Sequence, residues 1–288
     1  MGNPSYGLAT FLTVFVLTIF CATSSSPNHE SFINCLAFHS QSNSSVYTPE
    51  TPSYSTILQS SIQNLRFETP ETRKPEFIVT PSHESQVQTA VICCRKHGLQ
   101  IRVRSGGHDF EGLSYASKVP FVMIDLINLR SVEVDIGENS AWVQAGATIG
   151  EVYYRIAEKS RIHGFPGGLC PHVGVGGHIS GAGYGNLLRK YGVSADHVVD
   201  ALIINTDGKI LDRESMGEDL FWAIRGGGAA SFGVILAWKI QLVPVPPTVT
   251  VSTVDRTLEQ GATALVQSGS SSLIRFKKIF LLDFILLR

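Results

Sequence analysis

A histidine and a cysteine stand in two glycine-rich segments of this 288-residue chain. His108 ends the segment Arg-Ser-Gly-Gly-His at 104–108, and Cys170 lies in Gly-Gly-Leu-Cys-Pro at 167–171. Imidazole nitrogen and thiolate sulfur are nucleophiles. Glycine lets backbone N–H groups come close to a phosphate or a ring oxygen. Two segments with little side-chain bulk, each presenting one nucleophile, predict a site for a flat, electron-poor ring.

Four longer motifs in a fixed order contain these residues: RSGGHDFEGLSY, WVQAGATIGEVYYRI, HGFPGGLCPHVGVGGHISGAGYGN and DLFWAIRGGGAASFGV. They resemble the plant berberine bridge enzyme-like family, secreted flavoproteins whose FAD-binding domain is of the PCMH or vanillyl-alcohol-oxidase type. The resemblance extends from residue 32 to residue 262. It implies an α+β fold with a two-subdomain FAD-binding domain, from which the family's substrate domain is missing.

The resemblance implies that FAD is attached twice, through His108 to the 8α-methyl group and through Cys170 to C6. The deprotonated 8α-methyl group of an electron-poor flavin accepts a neutral imidazole, and the thiolate adds to the same ring. Two attachments fix the ring and raise its potential. A hydrogen-bonded loop histidine and a buried thiol are the alternative interpretation of the two residues.

The glycines beside His108 are expected to bind the pyrophosphate of FAD through a nest of backbone N–H groups, with Arg104 adding positive charge. A simple glycine turn is the alternative. The segment 231–233 is expected near the adenine and ribose. The residues expected to bind the cofactor are Arg104, Ser105, Gly106, Gly107, His108, Asp109, Ser114, Cys170, Val173, Gly174, Gly176, Gly177, His178, Gly181, Gly183, Tyr184 and Gly233.

The glycines between residues 174 and 185 form a run that is not expected to pack as core, and the resemblance places it along the flavin ring and the ribityl chain. His178 in this run is expected to hydrogen-bond the ribityl chain or the N1 region; a surface-loop histidine is the alternative. Val173 matches a position that controls oxygen access in this family, and a valine there suggests an oxidase. Ala182 and Ala229 replace common glycines, and an added methyl group there either clashes or stiffens the loop.

Other classes of site find little support in the sequence. With 23 Lys and Arg against 24 Asp and Glu the chain is nearly neutral, which argues against a nucleic-acid partner. Neither a Rossmann nor a P-loop glycine spacing is present, and the nucleophile elbow of a hydrolase is absent. We assign no metal ligands, because the histidines have no partner at ligand spacing. The resemblance assigns the catalytic base to the family's second half, so no catalytic residue is assigned here.

The N-terminus predicts a secreted protein. Residues 8–21 are apolar and 22–26 are small, which is typical of a signal peptide, although the preceding residues include no Lys or Arg. A membrane anchor is the alternative, for which the stretch is short. We therefore expect an extracellular or cell-wall location, no stable membrane span after signal removal, and glycosylation at Asn43. The resemblance pairs Cys35 with Cys93, which leaves Cys94 as a small buried thiol.

Apolar periodicity and turn residues predict strands at 77–80, 101–105, 121–126 and 232–242, and hairpins at 132–136/141–145 and 202–206/209–212. Helices are predicted at 53–64, 85–97 with Ser82 as N-cap, 148–159 and 219–224. We divide the chain into a signal peptide (1–26), a lead-in (27–70), the FAD-binding PCMH-type domain (71–247), the start of a substrate domain (248–267) and a divergent tail (268–288). The tail is interpreted either as out-of-frame sequence that ends a truncated gene or as an amphipathic helix.

Together these features predict an FAD-dependent oxidase of an alcohol, a sugar or a secondary metabolite, with molecular oxygen as electron acceptor. The alternative is a catalytically inactive secreted remnant with weak or no flavin binding. A third interpretation, a membrane-associated or structural glycoprotein, is supported only by the apolar segments at the two ends of the chain. Since the family's substrate domain is expected to be missing, we expect little turnover and poor solubility from the 288-residue chain alone.

Overall fold

The computed structural model describes residues 29–39, 45–250 and 255–272. The strands are β1 (Ser45–Tyr47), β2 (Phe77–Thr80), β3 (Gln100–Arg104), β4 (Phe121–Asp125), β5 (Val132–Asp135), β6 (Ser140–Gln144), β7 (His163–Gly164), β8 (Val198–Ile204), β9 (Ile210–Leu211), β10 (Val234–Gln241) and β11 (Val243–Pro244). The α-helices are α1 (His29–His39), α2 (Tyr54–Gln59), α3 (Glu84–Lys96), α4 (Ile149–Lys159), α5 (Val175–Ser180), α6 (Leu188–Tyr191), α7 (Arg213–Ala223) and α8 (Ala262–Ser272). The signal peptide, Asn43 and the tail from 273 onward lie outside the described residues.

The first sheet has the strand order β1-β2-β4-β3. Strands β2, β4 and β3 run parallel, while β1 pairs antiparallel with β2. Both β2 and β4 are continuous apolar runs, as parallel strands covered on both faces require. Helix α3 connects β2 to β3 and covers one face with Val87, Ala90 and Val91. The lead-in covers the other face, where Tyr54, Leu58 and Ile62 pack with residues of β4.

A disulfide between Cys35 and Cys93 joins α1 to α3, with 5.9 Å between the two Cα atoms. The predicted pairing is therefore confirmed. Cys94 is a free, fully buried thiol, as predicted, and burial raises its pKa to about 12. A thiol held in its neutral form by burial packs as a small apolar side chain.

The second sheet is antiparallel, with the order β5-β6-β10-β8-β9. Its two predicted hairpins, β5–β6 and β8–β9, are present. Helix α4 begins after Thr148, whose side chain accepts a hydrogen bond from the backbone N–H of Glu151, and it buries Ile149, Val152 and Ile156. One continuous apolar core lies between the elements of both sheets. A short antiparallel pair, β7 with β11, forms a third sheet. The two larger sheets, with helices packed around them, confirm the α+β fold and its two subdomains.

Several element boundaries differ from the sequence predictions. Helix α3 is preceded by His83 rather than by Ser82, because the Gln86 side chain accepts hydrogen bonds from the backbone N–H groups of both residues and turns the chain into the helix. Helix α7 begins six residues earlier than predicted and is broken at Gly217, where φ is 76°. Helix α2 is shorter than the predicted lead-in helix. Within the described segments, no helix is long and apolar enough to cross a membrane.

Candidate functional site

The loop that carries His108 starts at the carboxyl end of β3, where ligands commonly bind in α/β units. It touches the loop that follows Cys170. A Cβ atom added to Gly106 would lie 2.4 Å from the backbone nitrogen of Gly174, and one added to Gly174 would lie 2.0 Å from Oγ of Ser105. The two loops meet because these positions have no side chain. The structure therefore brings together the two segments that the sequence singled out.

Gly107 needs to be glycine for two reasons. Its φ is +67°, and an added Cβ would lie 1.9 Å from the carbonyl oxygen of Ser61 in the lead-in. The side chain of Asn64, in the same lead-in, donates a hydrogen bond to the carbonyl of Phe110 at 2.9 Å. The lead-in therefore holds the His108 loop from outside the first sheet.

His108 is half-buried, and its Nε2 is a buried atom without a hydrogen-bond partner among the described residues. Desolvation lowers the pKa of His108, and the nearby His172 lowers it further. Oδ1 of Asp109 is likewise buried and unpartnered, while Oδ2 accepts a hydrogen bond from Ser114. His108 Nε2 and Asp109 Oδ1 are thus polar atoms of two adjacent residues, each without a hydrogen-bond partner in the described part of the chain, and the lowered pKa favours the neutral form of the histidine. These features fit a site in which a ligand supplies the missing partners.

The prediction that Arg104 adds charge to the pyrophosphate site needs correction. Its side chain is fully buried and forms a salt bridge with Asp125, with 2.6 Å between Nη2 and Oδ2. Nη1 and Nη2 also donate to the carbonyls of Leu58 and Ile57, both at 2.6 Å. A buried charge must be paired and hydrogen-bonded, and these contacts meet that need. The guanidinium therefore holds α2 against the sheet and is not available to the pyrophosphate.

The loop that carries Cys170 is docked on the N-terminal end of α4. The first-turn N–H groups of Ile149 and Gly150 donate to the carbonyls of Val173 and Pro171, both at 2.9 Å. These amides have no partner within the helix itself, so the loop satisfies them. Cys170 itself is exposed and its thiol is free. Val173 is half-buried beside it.

The expectation that the glycine run 174–185 does not pack as core is wrong for part of it. Its first half forms α5, in which Val175 and Ile179 are almost completely buried. Gly176 fits there because an added Cβ would lie 2.9 Å from the carbonyl oxygen of Ala145. Gly177 is exposed and has open space around it, so it is the glycine of α5 that leaves room for a ligand.

His178 lies on α5 and faces the Cys170 loop. Its Nε2 accepts a hydrogen bond from the backbone N–H of Gly168 at 3.0 Å, so the ring proton is on Nδ1. Burial lowers the pKa of His178. A contact between His178 and the ribityl chain would therefore use the Nδ1 side of the ring.

The remaining predicted residues border the same region. Gly181 is exposed, Gly183 is buried with φ of +68°, and Tyr184 is exposed. Gly233 packs against the sheet, since an added Cβ would lie 2.2 Å from the carbonyl oxygen of Ile204. The backbone N–H groups of the preceding glycines at 226 and 228 both donate to the carbonyl of Ser180, which holds this loop at the end of α5.

Ala182 adopts a positive φ of 75°, a conformation that favours glycine. Its methyl group does not clash with Gly226, since an added Cβ there would remain 3.9 Å away. Ala229 is buried in a 3-10 turn. At Ala182 the structure therefore shows a strained backbone conformation.

Sequence analysis overlooked two residues near the site. Tyr153 of α4 donates a hydrogen bond from its hydroxyl to the carbonyl of Gly168 at 2.9 Å, and Ser194 donates to the carbonyl of Pro166 at 2.8 Å. The sequence places Tyr153 in the predicted helix 148–159, but no local pattern links its hydroxyl to Gly168. No local pattern marks Ser194, because its partner lies 28 residues away in the sequence.

Comparison with known proteins supports a flavin site. The FAD binding domain family matches residues 75–213. The chain is 69% identical over 258 residues to tetrahydroberberine oxidase from Berberis wilsoniae, covering 90% of this chain and 49% of that protein. It is 50% identical over 277 residues to berberine bridge enzyme-like 21 from Arabidopsis thaliana, covering 91% of this chain and 51% of that protein. The chain spans about half the length of these relatives.

Two solved structures of Phl p 4 have a similar fold. The wild-type protein, a glucose dehydrogenase, superposes with a TM-score of 0.82 at 43% identity, covering 86% of this chain and 51% of that chain. A variant with one isoleucine replaced by valine, described as a glucose oxidase, has a TM-score of 0.82 at 44% identity with the same coverage. FAD fits the residues present at this site. The glycine loops and Gly177 leave open space, and buried polar atoms of His108 and Asp109 lack hydrogen-bond partners among the described residues.

Proposed function

Since the chain belongs to the berberine bridge enzyme-like family of FAD-dependent oxidoreductases, we propose that it forms the flavin-binding half of a secreted oxidase, with FAD attached through His108 and Cys170. When bound, FAD supplies the acceptor for a hydride from the substrate. The observation that carries the proposal is the contact between the two loops at Gly106 and Gly174. It places the loop that carries His108 against the segment that follows Cys170.

Two properties of these residues support the attachment. Burial lowers the pKa of His108, which favours the neutral imidazole with a nitrogen lone pair for a bond to the 8α carbon. Cys170 is exposed and not in a disulfide, so its sulfur is accessible for a bond to C6. In each attachment one carbon–hydrogen bond of the flavin and one proton of the nucleophile would be lost. Each attachment would release two electrons, which one molecule of oxygen would accept with two protons to form hydrogen peroxide.

The electron acceptor in turnover is proposed to be oxygen. The family resemblance places Val173 where oxygen access is controlled, and its backbone is fixed by the N–H of Ile149 at 2.9 Å. In Phl p 4 an isoleucine-to-valine change separates a described glucose oxidase from a described glucose dehydrogenase. The smaller valine side chain leaves more room for oxygen beside the ring. The proposed substrates are alcohols, sugars or secondary metabolites, the last in line with tetrahydroberberine oxidase.

Tyr184 is the best candidate for a proton acceptor in this half of the enzyme. Tyr115 is 1% exposed, and the hydroxyl of Tyr191 donates to the carbonyl of Pro244, so neither faces a substrate. Tyr184 is 72% exposed, and its backbone carbonyl borders Gly168 of the Cys170 loop. Its side chain is therefore exposed on a segment that borders the Cys170 loop.

The attachment is tested by mass spectrometry of tryptic peptides from the purified chain. We expect one flavin that joins the peptides containing His108 and Cys170, and a colour that survives acid precipitation. His108→Ala should leave a single attachment through Cys170. His163→Ala is the matched control, because His163 bonds Asn139 and Ser160 away from both loops. Unmodified peptides at both positions in folded protein would contradict the proposal.

A further inference from the structure

We propose that Tyr153 is a positioning residue that fixes the Cys170 loop for attachment to the flavin. The inference rests on the proposed function, because it concerns the thiol that this function uses. The contact that carries it is the hydrogen bond from the Tyr153 hydroxyl to the carbonyl of Gly168, at 2.9 Å. Gly168 precedes Cys170 by two residues.

The Tyr153 hydroxyl is suited to act as a fixed donor. Burial raises the pKa of Tyr153 to about 12, so the hydroxyl keeps its proton at any physiological pH. The ring also fills the space beside the loop, since a Cβ added to Gly167 would lie 2.9 Å from the Tyr153 hydroxyl oxygen. Tyr153 stands in the second turn of α4, whose first turn binds the carbonyls of Pro171 and Val173.

The other polar group of Gly168 is held from the opposite side. Its N–H donates to Nε2 of His178 at 3.0 Å, while its carbonyl accepts from Tyr153. Ser194 donates a hydrogen bond to the carbonyl of Pro166, which belongs to the preceding peptide group. Both peptide groups flanking Gly168 are therefore fixed, although two consecutive glycines would otherwise make this stretch one of the most flexible in the chain.

The consequence is that Cys170 lies between two anchored points. After it, the carbonyls of Pro171 and Val173 are held by the N-terminal amides of α4. Before it, Tyr153 and His178 hold Gly168. Loss of the Tyr153 hydroxyl leaves Gly168 held by His178 alone and so weakens only the anchor before Cys170. A reacting atom displaced by about 1 Å can lose orders of magnitude in rate. The attachment at His108, on the other loop, does not depend on this anchor.

The test compares Tyr153→Phe with Tyr154→Phe in the full chain. Tyr154 is the neighbouring tyrosine and is 62% exposed; it contacts the surface side chains of Arg155 and Glu158 and none of the residues of the Cys170 loop in the interactions found. The first measurement is the fraction of flavin linked to Cys170 and to His108 after a fixed time of loading. For Tyr153→Phe we expect at least a threefold lower fraction at Cys170 with the fraction at His108 unchanged. Tyr154→Phe should match the wild type.

The second measurement is hydrogen–deuterium exchange of the peptide spanning 165–173 in chains that carry Cys170→Ala, where no thioether can form. Removal of one hydrogen bond should speed exchange of the Gly168 amide by about three- to tenfold in the Tyr153→Phe variant. Unchanged exchange or an unchanged Cys170 fraction would overturn the role of Tyr153. A wild-type chain without flavin at Cys170 would instead refute the proposed function, and the exchange measurement would still decide whether Tyr153 fixes the loop.

Discussion

Replacing Arg104 separates a structural role of this residue from a role in binding the cofactor. In the structure the guanidinium contacts Asp125 and the carbonyls of Leu58 and Ile57, and none of it is exposed. If these contacts are its purpose, Arg104→Met should destabilise the fold itself. If the guanidinium met the pyrophosphate, the same change should weaken FAD binding and leave the fold intact.

The magnitude follows from what the substitution leaves behind. Asp125 is 1% exposed, and without Arg104 its remaining hydrogen bond comes from the backbone N–H of Ile127 at 3.2 Å. Breaking a buried ion pair costs about 3–5 kcal/mol, and the two carbonyls also lose their donors. We expect the free energy of unfolding to fall by about 4 kcal/mol or more for Arg104→Met. At about 2–4 °C per kcal/mol, Tm should fall by about 8–16 °C.

The assay is thermal unfolding followed by circular dichroism, with FAD content measured on the folded fraction. Arg104→Lys keeps the charge but not the planar fork, so it should lose about 2 kcal/mol. Arg130→Met is the matched control, because its salt bridge with Glu151 is partly exposed and should contribute less than about 1 kcal/mol. An Arg104→Met protein with the wild-type Tm and a selective loss of FAD would refute the structural role.

Three further predictions address other parts of the structure. Cys35→Ala/Cys93→Ala opens a loop with a sequence separation of 58 and should lower the free energy of unfolding by about 4 kcal/mol, whereas Cys94→Ala should change Tm far less. The pKa of His178 in the folded state lies below its ordinary value of 6.5, so the hydrogen bond that it accepts from Gly168 is complete above pH 6.5 and is lost as pH falls through the folded pKa. The protection factor of the Gly168 amide should therefore fall on acidification, and His178→Gln should remove that pH dependence. A pH-independent protection factor in the wild type would contradict this prediction. Ala182→Gly should raise the free energy of unfolding by about 1 kcal/mol because it relieves a positive φ, while Ala182→Val should lower it, both measured by denaturant titration.

The strands could be predicted from the sequence because their signal is local. Residues 77–79 and 121–124 are continuous apolar runs, and the structure shows the two strands that contain them as buried neighbours. Helix α5 could not be predicted, since Gly176 and Gly177 have low intrinsic helix propensity. It forms because Val175 and Ile179 pack into the core, which is a tertiary effect.

The sequence singled out the two loops of the candidate site but not the contacts that they make. The glycines that flank His108 and Cys170 indicated loops with room for a ligand, and the structure shows in addition that the two loops touch. The fate of Arg104 could not be predicted, because its partner carbonyls lie 46 and 47 residues earlier in the chain. A charged residue beside a glycine loop has the same local pattern whether it faces a ligand or the core.

The contact between the two glycine loops, at Gly106 and Gly174, has a consequence for the order of folding. Gly106 follows a strand of the first sheet, and Gly174 precedes a helix that packs on the second. Their contact is non-local, and such contacts form late because the intervening chain must first be ordered. A half-folded chain therefore has no cofactor site, and FAD stabilises only the state in which both sheets are complete. Flavin retained by the purified chain would therefore report that both sheets have folded.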